Sequence, residues 1–119
     1  MNDKTLRQVF GAFKKSKVCF EMKSFLLRQQ LGLCPTTKEF IHLTDQTHLS
    51  HIISLKNLEQ LRLINPIKAE QLVTDERNLF LEKASSNKKR SSHNCDALLF
   101  DLLAQLDLTE EELKAINAY

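Results

Sequence analysis

Between Ser54 and Pro66 the chain specifies one short helix with both of its ends marked. Leu55, Leu58, Leu61 and Ile64 recur at three-residue steps, which sets them along one slowly drifting side of a helix. Ser54 supplies the side-chain oxygen that an N-cap needs for the unpaired N–H groups of the first turn. Asn65-Pro66 stops the run, because a residue before proline is pushed out of the α region and proline has no N–H to donate. So short an apolar helix has to pack against something. Leu58 and Leu61 therefore face either the chain's own interior or a partner.

The expected fold is all-α: a compact multi-helix domain with a long N-terminal helix followed by short ones. Two Gly, two Pro and abundant Leu, Lys, Glu and Gln in 119 residues favour helices over sheet. That length suits one domain with a sizeable core. A net charge of +2 separates no function classes. No apolar run reaches the ~18–20 residues of a membrane span. Cys19, Cys34 and Cys95 are odd in number and widely spaced, the pattern of reduced thiols and a cytoplasmic, bacterial-style protein.

Residues 1–84 read as a helical dimerisation and partner-binding core, 85–95 as a basic mobile loop, and 96–119 as a C-terminal helical segment of the same domain. Leu6, Phe10, Phe13, Phe20, Leu27 and Leu31 follow a heptad-like spacing, interrupted by Lys17 and Ser24. Gly11 and the Lys14–Lys17 patch offer a break into two helices as the alternative. Gly32 and Cys34-Pro35 close this region. Thr36 with Glu39 has the form of a capping box, opening a short helix through Phe40 and Leu43. Thr44-Asp45 would start another through Leu49 and Ile53, and Thr74 a third through Leu79 and Phe80. Asp96 or Asn94 begins an apolar helix, and Thr109 with Glu112 caps the last one.

Cys34, His42, His48 and His51 form the one metal-like group, but their spacing matches no zinc knuckle, so no metal or cofactor is expected. There is no glycine-rich phosphate loop, nucleophile elbow or paired-carboxylate scaffold, and the chain reads as no enzyme. Lys88, Lys89 and Arg90 make a basic patch suited to phosphates, with a solvated loop as the plainer reading. A helix-turn-helix over residues 36–64 lacks the small turn residue common in that motif, so the chain alone is a poor DNA reader.

The run Ile53-Ser-Leu-Lys-Asn-Leu-Glu-Gln-Leu-Arg-Leu-Ile-Asn-Pro-Ile67 resembles the core pattern of the FlhD family, the smaller subunit of the bacterial flagellar master activator, with relatives on conjugative elements. Phe25–Leu31, Phe40–Leu43, Gln71-Leu72 with Asp75 and Arg77, and Leu102-Leu103 with Glu110–Lys114 are similar to further short stretches of it. The resemblance implies an all-α, intertwined homodimer that joins a larger, zinc-containing FlhC-like subunit at promoters. Asn65 then matches a polar residue important for activation, and His42 stands where the family has Arg. The cysteine that can bridge the family's dimer has no counterpart, so no intersubunit disulfide is expected. In this reading His42, Asn65, Leu58 and Leu61 contact the partner, while Arg77, Lys88, Lys89 and Arg90 contact promoter DNA. The rival is a helical adaptor, chaperone or antiactivator that binds a single protein.

Overall fold

Hydroxyl side chains set the helix starts. Thr5 and Gln8 form a reciprocal capping box, Thr5 Oγ1 accepting from the Gln8 N–H at 3.2 Å and Gln8 Oε1 accepting from the Thr5 N–H at 2.9 Å. They open α1 (Leu6–Lys14). Ser16 caps α2 (Lys17–Gln29), and its hydroxyl also donates to the Phe13 carbonyl at 2.6 Å. One residue thus ends α1 and begins α2, and the single long N-terminal helix is replaced by two. In this computed structural model, residues 4–42, 45–84 and 93–118 are described.

Two segments expected as helices are strands. β1 (Thr47–His51) and β2 (Leu79–Lys83) pair antiparallel, with Leu49 opposite Leu81 and Ser50 opposite Phe80. The all-α expectation is therefore overturned: among the described residues, six helices accompany a two-stranded antiparallel sheet. Both segments are short, and helix propensity is a weak prior that a good tertiary pairing overrides. Residues 33–40 also form no helix; the Cys34 carbonyl accepts from the Lys38 N–H in a turn, and Leu33 bridges to Phe40.

The central run starts where its punctuation predicts, but it ends at Arg62, before Asn65-Pro66, which instead opens the next helix. Ser54 caps α3 (Leu55–Arg62), and Pro66 stands at the first position of α4 (Pro66–Thr74) with Asn65 as its cap. A 3-10 turn (Glu76–Asn78) leads into β2, and α5 (Asp96–Gln105) and α6 (Glu110–Ala115) complete the order. Thr109 and Glu112 make the second capping box.

One chain closes its own core. Leu6, Ile53, Leu58, Leu61, Val73, Leu102 and Ile116 are essentially inaccessible to solvent. A core shared by two intertwined chains is accordingly not the architecture observed. Buried asparagines join the pieces by satisfying backbone groups that no helix or strand pairs. Asn78 Oδ1 accepts from the Ile53 N–H at 2.7 Å while its Nδ2 donates to the Leu72 carbonyl at 2.9 Å. Asn94 accepts from the Ser54 N–H and from Asn57 Nδ2, and donates to the Ile116 carbonyl. Of the expected mobile loop, Asn94 and Cys95 are buried and His93 is exposed, while residues 85–92 lie outside the described residues.

Candidate functional site

The corner between α3 and α4 is a rigid frame under an apolar surface. Asn65 Oδ1 accepts from the Lys68 N–H at 3.1 Å, and its Nδ2 donates to Glu112 Oε2 at 3.0 Å. The other carboxylate oxygen of Glu112 accepts from the Thr109 N–H at 2.9 Å and pairs with Lys68 Nζ at 3.3 Å. Lys68 Nζ also donates to the Asp107 carbonyl at 2.7 Å. The Thr109 N–H holds the carboxyl of Glu112 below its usual range; burial opposes this, and Asn65 and Lys68 add to it. On the other side, Arg62 donates to the Lys4 carbonyl at 2.9 Å and pairs with Glu59 and Glu70.

Three large apolar side chains stand out from this frame within five residues of sequence. Leu63 is 80 % exposed, Ile67 71 % and Ile64 42 %. Single exposed apolar residues need no explanation; three within five residues of sequence make this corner the candidate surface.

The residues expected to contact a partner divide between core, frame and surface. Leu58 and Leu61 are fully buried and hold α3 to the core. Asn65 is the cap of α4 and a brace to α6. His42 is exposed, with its backbone N–H bonded to Asp45 Oδ2 at 2.7 Å, away from the α3–α4 corner in sequence. Leu63, Ile64 and Ile67 are the accessible apolar residues here. Their signal lay in the stretch itself: three apolar residues flanking Asn65-Pro66, off the Leu55–Leu58–Leu61 line or beyond its end.

Arg77, assigned to DNA, has its charge matched locally. Its Nε and Nη2 bond to Asp75, the shortest at 2.7 Å, and Nη1 reaches the Gln105 carbonyl at 3.4 Å. The ion pair raises the Arg77 pKa, and for Asp75 it outweighs burial and lowers the carboxyl. Lys88, Lys89 and Arg90 lie outside the described residues.

Arg77 borders a cleft of about 500 Å³ between α2, β2 and α5, floored by Leu26, Leu79, Phe80 and Leu102. Its rim carries the amides of Gln29, Gln30 and Gln105, the carboxylates of Glu76 and Asp101, and Arg77, which is paired with Asp75. Below β2, Cys34, Thr36, Glu82 and Ser50 form a buried chain of contacts: Cys34 Sγ to Thr36 Oγ1 at 3.3 Å, Thr36 to Glu82 at 3.2 Å, Ser50 to Glu82 at 2.7 Å. Burial pushes the Cys34 thiol up, but the Thr36 and Thr37 hydroxyls and the Thr37 and Lys83 backbone bring it down to about 6.

The histidines do not gather around Cys34. His51 is buried, donates from Nε2 to the Val73 carbonyl at 2.8 Å and packs edge-on against Phe10. His48 and His42 are exposed, and no group of three or more metal-ligating side chains occurs among the described residues. No helix among these residues is long and apolar enough to cross a membrane. Comparison with family models, curated proteins and solved structures returns no match.

Proposed function

We propose that this chain is a non-enzymatic subunit, acting in the cytoplasm by joining another protein through the α3–α4 corner. The observation that carries the reading is the exposure of Leu63, Ile64 and Ile67 on a corner braced by the Asn65–Glu112–Lys68 network. A preorganised apolar surface loses little conformational freedom on binding, so more of its burial is left to appear as affinity.

The FlhD-like segment favours one setting for that partner, a larger DNA-binding subunit at a promoter. Ser54 and Asn65, which bracket that segment, are helix caps that hold the corner in place. Against this setting stands the mixed fold, since the resemblance implies an all-α one. The adaptor or antiactivator reading needs only the corner. In both readings DNA contact by Arg77 is secondary, because Asp75 already matches its charge.

The test is a photo-reactive residue placed at Ile67 and used in extract of the native host. One specific adduct is expected, lost in the Leu63→Ser/Ile64→Ser double variant and retained in Phe100→Ser, which removes an exposed apolar group elsewhere. The purified adduct partner then decides the setting. An activator subunit retards a promoter fragment only together with this chain, whereas an adaptor's partner retards none. Equal adduct formation by wild type and the double variant would sink the docking reading.

A further inference from the structure

α5 reaches the core through Leu99 and Leu102, and the cleft opens beside it, toward α2 and β2. Leu102 shares the floor of this cleft with Leu26, Leu79 and Phe80, all of them core side chains at 2–3 % exposure. Protein interiors are close-packed, so apolar side chains that border an unfilled space forgo contacts that an occupant supplies. At about 500 Å³ the space falls within the roughly 300–1,000 Å³ of sites that enclose a small organic ligand. A floor of leucine and phenylalanine calls for an apolar body.

The rim decides the charge of that body. Arg77 is the one cation among the described residues that line the cleft, and its nitrogens are committed. Nε and Nη2 bond to Asp75, and Nη1 bonds to the Gln105 carbonyl. Glu76 and Asp101 are exposed carboxylates with no salt bridge among the described residues, and Arg77 feels Glu76 less than it feels Asp75. With the Arg77–Asp75 pair counted as neutral, Glu76 and Asp101 leave the rim negative on a chain whose net charge is +2.

An anion entering the cleft meets two like charges and an arginine already bonded. A neutral molecule gains nothing from either carboxylate. A cation on an apolar body is drawn by both, and the low-dielectric floor strengthens that field over the same charges in open water. The Gln29 side-chain amide makes no hydrogen bond among the described residues, and its oxygen can accept from an ammonium group. The Gln30 amide is committed to Leu81 and Leu33 and adds none.

We propose that this cleft binds a small organic cation, an ammonium group carried on an aromatic or branched apolar body. The body lies on Leu26, Leu79, Phe80 and Leu102, and the ammonium stands at the rim, where Glu76 and Asp101 set the potential. Leu63, Ile64 and Ile67 do not line the cleft, so the site adds a ligand to the partner-binding reading without resting on it.

Tryptamine is the probe, titrated into the isotope-labelled full chain and followed through amide chemical shifts. It should bind saturably at about millimolar concentration, within the reach of so small a ligand. The amides of Leu79, Phe80, Asp101 and Gln105 should shift, and that of Ile67 should stay in place. Indole-3-propionate carries the same ring with a carboxylate, indole the ring alone and methylammonium the charge alone. Each should bind at least about tenfold more weakly than tryptamine. An Asp101→Asn/Glu76→Gln double variant should weaken tryptamine about tenfold, two attractions being lost, and leave indole as it was. Both positions are exposed, so an unchanged thermal melt excludes loss of fold as the cause. No saturable shift with tryptamine, shifts centred outside the cleft, indole-3-propionate or methylammonium binding as tightly, or an unchanged affinity in the double variant would each overturn the proposal.

Discussion

The side-chain amide of Gln30 lies against Leu81 as a one-residue strand. Gln30 Oε1 accepts from the Leu81 N–H at 2.7 Å, and its Nε2 donates to the Leu81 carbonyl at 2.9 Å and to that of Leu33 at 3.0 Å. The free edge of β2 is thereby closed by a side chain at the C-terminal cap of α2. Gln30→Leu leaves two backbone groups of a buried strand residue unpaired and should cost about 2–4 kcal/mol in chemical denaturation. Faster exchange of the Leu81 amide should accompany it; unchanged protection of that amide would contradict the pairing.

The corner and the helix beneath it should respond oppositely to substitution. Leu61→Ala opens a cavity in the core and should cost about 2–5 kcal/mol. Leu63→Ser and Ile67→Ser, at exposed positions, should change stability by no more than about 0.5 kcal/mol. Denaturant midpoints that fall equally for all three would mean that the corner is packed in solution.

Asn65→Ala removes the α4 cap and one donor to Glu112 together. A lost cap costs about 0.5–2 kcal/mol, and the weakened brace adds to it. Asn65→Ser should recover part of this loss, since serine still caps but is too short to reach Glu112. Full stability in Asn65→Ala would return Asn65 to a purely partner-contacting role.

Acid should unlock the α6 brace. The folded-state pKa of Glu112 lies below the ordinary value of 4.5, so its contribution is complete above that pH and is lost as pH falls through the lower folded value. In wild type, stability should drop with acid through that window. Glu112→Gln should be less stable at neutrality and flatter in its acid dependence. Parallel pH profiles for the two proteins would show that Glu112 does not contribute this linkage.

The Cys34 thiol is sensitive to a neighbour with one proton to give. The Thr36 hydroxyl lies within reach of both Cys34 Sγ and Glu82, and a single O–H serves only one acceptor at a time. Ultraviolet titration of the thiolate should show Cys34 ionising at about 6, below the ordinary 9.0, and Thr36→Val should move that step upward. The sign for stability follows: a depressed thiol pKa contributes as pH rises from about 6 toward 9.0 and is lost on acidification. Absence of any titration step below 9.0 in wild type would refute the lowered value.

Local chemistry determined the punctuation of this chain. Ser54, Asn65-Pro66 and the Thr109–Glu112 box act on their own next few residues, and each ends or begins a helix as its type requires. That Leu58 and Leu61 share one side of one helix was equally legible from their three-residue spacing, but the same spacing fits a partner contact, and only the structure buries both in the chain's own core. Only the tertiary structure decided that 47–51 and 79–83 are strands. Their backbone groups are satisfied by each other across some thirty residues, a pairing that no local period reports. The buried asparagines were hidden for the same reason: Asn57, Asn78 and Asn94 look like turn residues until their distant backbone and side-chain partners are in place. The division of apolar residues between core and surface was decided at that level too. A hydrophobic pattern specifies that Leu61 and Leu63 prefer to leave water, but only the packing of α3 against α1, α4 and α6 buries one and exposes the other.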